Sequence, residues 1–431
     1  MPNEGQRNEF ELRKLGLVTT SVMNERALKR ADLVNLSSEF EIIILDISIL
    51  LNRTMVNASQ SDLLAFRRLV IASWAELSTV LDVEGLHAVL ECGMPGPIAN
   101  KIVRRCKKLG ILSFQLRDGA LPHPPLVKRI AFRILDSLTS HNKESSQAPT
   151  LDFSGDQSSV FRVAVSFIKT PIWQISGFFF SRPNVCFFAG SKSLDLPARF
   201  AKKLVPMTSF DMEEIQGAAT DKKSGYLIFI DEEFAEPDAH DYRVLKLRPP
   251  VSPETYYPWL IAALHAISEQ YGLPVIIALR PQKDASRLSQ RKKRFAGFTI
   301  LNGSSVLALP SCSGIIFHGS TLSLVALEVN AVPIPLEIDL PNLRLKNAFT
   351  RSFAREFGVT TSNGILDPPP KKIRNASHTA PEKLKFKVRS RFLGPSDRSR
   401  EGLISSIILE DVRENQRMSL KGTASQSRKK Y

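Results

Sequence analysis

What most restricts the fold of this chain is a recurring type of segment: a short, almost purely apolar run rich in β-branched residues, followed by a turn and then a helix-patterned stretch. LGLVT at 15–19, FEIIIL at 40–45, LHAVL at 86–90, ILSFQL at 111–116 and NVCFFAG at 184–190 are the first-half examples. YLIFI at 226–230, PVIIAL at 274–279, GIIF at 314–317 and VPIPL at 332–336 continue the series. Strands that alternate polar and apolar residues cover one face of an antiparallel sheet. Continuous apolar runs are what a parallel sheet buried on both faces requires. Helical spacing over 63–81, 98–109 and 253–271 supplies the layers, and the alternation predicts doubly wound α/β architecture.

At 431 residues the chain is too long for one ordinary core. The runs divide it into a first lobe over 1–222 and a second over 223–348, leaving a basic extension at 349–431. Within the second lobe, Pro253 suits a helix start, and Tyr256, Leu260, Ala263, Leu264, Ile267 and Tyr271 share one helical face. Gly272 then ends the helix. Arg199 to Ala219 carries no readable pattern. From Arg351 to Tyr431 there are 18 Lys and Arg against 8 Asp and Glu, so this stretch supplies about two thirds of the net charge of +15. The extension, with its Pro368-Pro369-Pro370 and Ser-rich segments, is expected to be largely flexible, with anionic membrane as a peripheral contact. Four cysteines without CxxC spacing predict reduced thiols. A polar N-terminus and the lack of a long apolar run predict a cytoplasmic protein with no spanning segment.

In open parallel sheets ligands collect at the carboxyl ends of the strands. In the second lobe that rule selects Asp231 to Glu233, Arg280-Pro281, Gly303-Ser304 and His318-Gly319-Ser320-Thr321. The last is the most suggestive, because Gly319 permits a tight turn and Ser320 caps the next helix. Amides there would meet a phosphate, with His318 donating to a phosphate or ribose oxygen. A plain strand-to-helix turn explains the same residues. The basic segment 282–294 adjoins Arg280 and reads as a surface loop flanking an anion.

The run FHGSTLSLVALEVNAVPIPLE resembles the donor loop of GT-B glycosyltransferases of bacterial capsular and surface polysaccharide synthesis. The resemblance covers about 120 residues well and the first lobe only by layout. It implies two Rossmann-like lobes, a nucleotide-sugar donor held by Arg280, Pro281, Gly303, Ser304, His318, Gly319, Ser320 and Thr321, and a glycan or lipid-linked glycan acceptor. The chain departs from the pattern at Arg280, where the family often has His; a guanidinium there is a fixed charge, not an acid–base group. The first lobe should then hold the acceptor, with Thr19 and Thr20 lining its groove. The general base would be Asp118 or Glu91, each at a strand end. The resemblance implies no cofactor beyond the nucleotide-sugar substrate and no metal. Two alternatives stay open: a nucleotide-sugar epimerase, and a non-catalytic binding or scaffold protein of the same pathway, which Arg280 favours. Nucleic acid ranks last as a partner, since only the tail charge speaks for it.

Overall fold

All described strands pair in parallel, the arrangement that continuous apolar runs favour. The computed structural model describes residues 13–19, 25–51, 66–93, 96–125, 127–129, 131–132, 182–195, 198–216, 225–236, 249–280, 284–303, 305–341, 343–363 and 381–427. The first sheet contains β1 (Arg13–Thr19), β2 (Phe40–Asp46), β3 (Arg67–Val70), β4 (Ala88–Cys92), β5 (Leu112–Arg117), β6 (Val185–Phe188) and β7 (Lys203–Pro206), in the order β3-β2-β1-β4-β5-β6-β7. The second contains β8 (Leu227–Ile230), β9 (Val275–Leu279), β10 (Thr299–Asn302), β11 (Gly314–Phe317) and β12 (Val332–Pro335), in the order β10-β9-β8-β11-β12. Each sheet reverses direction once, between β1 and β4 and between β8 and β11. These switch points are where such sheets open a ligand crevice.

The helices follow the sequence pattern with instructive exceptions. The described first-lobe helices include α1 (Glu25–Arg30), α2 (Leu33–Ser37), α3 (Trp74–Val83), α4 (Gly96–Leu109) and α5 (Phe210–Gln216). Over its described part, 66–81, the expected helix is strand then helix: Leu69 and Val70 belong to β3, and Ser73 caps α3 by accepting from the Glu76 amide. The unreadable stretch 199–219 holds β7 and α5. In the second lobe α6 (Pro253–Tyr271) matches its expectation at both ends, with Ser252 as N-cap and Gly272 left-handed at φ 63°. The basic segment is not a loop. It forms α7 (Ala285–Arg294), capped by Asp284, with Arg291 buried.

Where it is described, the C-terminal extension is helical and packed rather than flexible; Pro368-Pro369-Pro370 lies outside the described residues. Helix α8 (Arg344–Phe357) belongs to the second lobe, where Phe353 and Phe357 pack on Phe317. Helix α9 (Glu382–Val388) and a π-helical turn, Arg389–Leu393, follow. Helix α10 (Leu403–Ser427) then returns to the first lobe, where Ile404, Ile408 and Val412 join Leu15 and Leu17 in one core. That i, i+4, i+8 spacing is an amphipathic stripe, which the surrounding charge concealed.

Between α9 and α10 the chain straps the ends of β6 and β7. Ser191 and Lys192 amides donate to the Ser390 and Arg391 carbonyls, and Thr208 and Ser209 amides donate to those of Arg398 and Leu393. Gly394, at φ 76°, makes this approach possible: a Cβ there would lie 1.9 Å from the Met207 carbonyl oxygen. Much of the tail's positive charge is paired with the body, as in Arg389–Glu328, Arg391–Glu356 and Arg400–Glu213. Among the described residues no helix is long and apolar enough to cross a membrane.

Candidate functional site

The loop after β11 gives a backbone amide to a carboxylate of the protein itself. Gly319 donates its amide to Glu232 Oε1 at 2.6 Å, and Lys346 Nζ donates to Glu232 Oε2 at 2.5 Å. Glu232 comes from the turn after β8, the neighbour of β11 across the switch point, and Lys346 from the first turn of α8. Burial pushes the Glu232 carboxyl upward, but Lys346 and the Gly319 amide outweigh it and leave the group below its ordinary value. The geometry is therefore an anion clamp: one backbone donor, one ammonium, and a carboxylate between them.

His318 is not part of that clamp. Its ring is sealed among Phe229, Tyr256 and Trp259, with 0% of the residue exposed. Nδ1 lies 2.6 Å from the Leu336 carbonyl oxygen, and Nε2 lies 2.9 Å from the Tyr256 hydroxyl. A carbonyl can only accept, so Nδ1 carries the proton and Nε2 accepts from the tyrosine. Burial holds the ring down at about 4, against the pull of Glu232. A neutral, doubly satisfied imidazole in the core positions the loop; it does not reach a ligand, and the expected hydrogen bond to phosphate or ribose is overturned. Ser320 caps the short 3-10 turn Thr321–Val325 by accepting from the Leu322 amide. Ser320 and Thr321 remain partly exposed.

The other second-lobe candidates lie apart from the clamp. Arg280 follows β9, two places from β11, roughly 10 Å at the usual strand spacing. Its NH1 faces Glu233 Oε2 at 4.0 Å, and Arg287 approaches the other oxygen at 3.6 Å. Its charge is thus partly matched inside the lobe. Gly303 follows β10, another strand away, and is exposed at φ 81°. Pro281 and Ser304 lie outside the described residues. One cation of the expected basic flank is turned inward, while Lys292 and Lys293 stay exposed. Arg291 bonds Asp231, Glu236 and Tyr257, with Glu236 at 2.6 Å, and lies under the rings of Tyr257 and Phe295.

In the first lobe Asp118 sits where expected, just after β5, but in a closed ion-pair hub. Arg30 Nε donates to Oδ2 at 2.8 Å, Arg400 NH1 stands 3.1 Å from the same oxygen, and the Phe210 amide reaches Oδ1 at 3.4 Å. Burial alone would raise its carboxyl; Arg400 and Arg30 together hold it below the ordinary range. An acid so stabilised as an anion is a poor general base. Glu91 lies inside β4 with 1% exposed and bonds Arg117 at 2.6 Å, so it is a sheet-core ion pair and not a cleft-edge carboxylate. Thr19 ends β1, is buried, and gives its carbonyl to the Ile47 amide. Thr20 lies outside the described residues.

The structure does bring the two loops that matter together. An ideal Cβ on Gly119, next to Asp118, would lie 3.7 Å from Thr321 Cγ2. Beside this contact the seam is apolar: Ala120, Met212 and Ile215 pack with Leu324 and Val325. Beyond α5, a cavity of about 560 Å³ on the first lobe is lined by Lys29, Phe210, Glu213 and Arg400 among others. Reasoning from sequence missed Lys346, Arg30 and Arg400 as site-forming residues. Glu232 was selected as part of the acidic triplet after a strand, but not as the partner of Gly319 and Lys346. Arg400 had no signal, because it arrives from the far end of the chain.

No family model matches the chain, and no curated protein matches it in sequence. Solved structures similar in layout include a UDP-glucosyltransferase from Polygonum tinctorium, at 11% identity and TM-score 0.45, covering 94% of this chain and 98% of that one. MurG of Acinetobacter baumannii, at 11% identity and TM-score 0.43, covers 93% and 99%. An S. aureus MnaA–UDP structure, at 11% identity and TM-score 0.43, covers 92% and 95%. At such identities and scores the likeness is one of general layout and says nothing of what this chain binds.

Proposed function

We propose that the chain is a GT-B-type glycosyltransferase that takes a sugar from a nucleotide-sugar donor in surface polysaccharide synthesis, with the second lobe holding the donor. One observation carries this reading: the loop after β11, at the switch point, holds a carboxylate between the Gly319 amide and Lys346. A donor phosphate has the charge and acceptor oxygens to replace Glu232 in that clamp. Glu232 is then a place-holder that keeps Lys346 and the amide satisfied until the donor arrives. In the transfer an acceptor hydroxyl attacks the anomeric carbon and releases its proton to solvent, the bond from that carbon to the phosphate oxygen breaks, and the nucleotide leaves with its electron pair. Lys346 and the loop amide offset the growing charge on the leaving oxygen. Arg280, partly exposed at the mouth of β9, is a second cation within reach of an extended diphosphate if it parts from Glu233.

A second reading, a non-catalytic binding or scaffold protein of the same layout, is favoured by a specific observation. Both carboxylates expected to act as base, Asp118 and Glu91, are held in ion pairs with arginines. Thermal stabilisation of the wild type by UDP-, GDP- and CMP-sugars, followed by assay for donor hydrolysis, separates the readings. Donor binding with hydrolysis supports the transferase. Binding without turnover supports the scaffold, and no stabilisation by any nucleotide sugar removes both.

A further inference from the structure

A strongly basic face lies at the amino ends of the first sheet, remote from the clamp. Helix α4 contains no acidic residue, and its exposed positions include Lys101, Arg104, Lys107, Lys108 and Leu109. Its last turn, the amino ends of β5 and β6, the β7 edge and α10 surround a cavity of about 690 Å³. Four cations line this cavity, Lys107, Arg182, Lys202 and Lys203, against two acids, Asp411 and Glu414. One of those acids stands 3.9 Å from Lys203. Lys107, Lys108 and Lys202 make no ion pair among the described residues.

The cations have apolar companions. Met418, 61% exposed, lines the cavity, and the exposed Leu109, Phe200 and Leu204 lie within two residues of its lysines in sequence, Leu204 on the opposite strand face from Lys203. On the other side of α4, a smaller depression is lined by half-buried Trp74 and the buried Leu77 and Leu81 of α3 together with Lys101, Arg104 and Lys108, and Lys101 Nζ lies 4.5 Å from the Trp74 ring centre. A nucleic acid presents phosphates without an apolar layer. An anionic bilayer presents phosphates above one, and exposed aliphatic residues interleaved with lysines match that arrangement.

We propose that the face formed by α4, the β7 edge and the middle of α10 docks the protein on an anionic lipid bilayer, with the cavity at Lys107, Lys202 and Lys203 receiving a lipid phosphate. The contact differs from the one expected of the tail, much of whose described charge is paired internally. It is independent of the donor reading, since it lies at the opposite ends of the strands.

Co-sedimentation of the full chain with vesicles of equal parts phosphatidylglycerol and phosphatidylcholine tests this. Wild type should bind, salt should weaken the binding, and vesicles of phosphatidylcholine alone should not bind. At roughly fivefold per lysine near such a surface, K107S/K108S/K202S/K203S should bind about a hundredfold more weakly or worse. These side chains are exposed, so the melting temperature should hold. L109S/M418S should weaken binding without changing its salt dependence, and the tail variant K371S/K372S should bind like wild type. Absence of wild-type binding, full binding by the quadruple variant, loss confined to the tail variant, or tighter binding to a DNA duplex than to vesicles would each overturn the proposal.

Discussion

The mouths of the two lobes solve the same problem in different ways. Each buries a carboxylate at the carboxyl end of a central strand. In the first lobe Asp118 is fixed by two guanidiniums, one delivered by the C-terminal strap, and its side chain is 3% exposed. In the second, Glu232 is fixed by one amide and one flexible lysine, and its side chain is 19% exposed. Two planar cations and a strap make a permanent hub. One ammonium and one amide make a contact that another anion can take over. The first lobe's arrangement reads as architecture, the second's as a site.

That contrast orders the expected effects of substitution. Gly394→Ala should be the most damaging. Its Cβ meets the Met207 carbonyl and its φ disfavours any side chain, so a loss of about 4 kcal/mol or more in denaturant unfolding is expected, as for other severe backbone clashes. An undisturbed midpoint would mean that the strap is not closed in solution. Asp118→Asn should follow, costing roughly 3 kcal/mol, because Arg400 stays buried with only Glu213 as a counter-charge. If Asp118→Asn unfolds like wild type, the first-lobe hub is not structural and the comparison fails there.

The pH dependence comes next. The His318 ring is held at about 4 in the folded chain, while an unfolded histidine titrates near 6.5. Between those values the unfolded state binds the proton and the folded state does not, so stability falls as the pH drops from about 6.5 towards 4. The full loss is about 3 kcal/mol. His318→Gln should flatten that part of a stability-against-pH curve, and an unchanged slope would show that the ring is not sealed. The lowered Glu232 carboxyl acts further down: its contribution is complete above the ordinary carboxylate range and is lost as the pH falls through its depressed folded value. The smallest effect on stability belongs to Lys346→Ala, about 1 kcal/mol at a partly exposed pair, although it should remove most nucleotide-sugar binding. Retained binding in that variant would take the clamp out of the donor site.

Much of the two-sheet layout was legible because a parallel strand announces itself. Runs such as PVIIAL and GIIF cannot be exposed on either face, and the ends of α6 were marked by Pro253 and Gly272. The edge strand β3 was hidden since Arg67 and Arg68 break its apolar run and the residues after it are helical. Helix α10 was hidden for a related reason: its stripe of Ile404, Ile408 and Val412 lies within a charged, Ser-rich stretch that mimics disorder. The site was half legible. Strand-following loops marked Gly319 and Asp118, but sequence spacing carries no sign of which donor is already satisfied. Glu232 meets Gly319 across 87 positions, and Arg400 meets Asp118 from a segment 282 positions further along the chain.

The central claim, that Glu232 keeps the place of a donor phosphate, is tested most directly by calorimetric titration of nucleotide sugars into wild type and Glu232→Gln. Gln keeps the shape but gives up the charge that competes for Lys346. The account predicts that the variant binds at least about tenfold more tightly than wild type, a gain of roughly 1.4 kcal/mol. Equal affinity in the two proteins, or weaker binding by the variant, would contradict it.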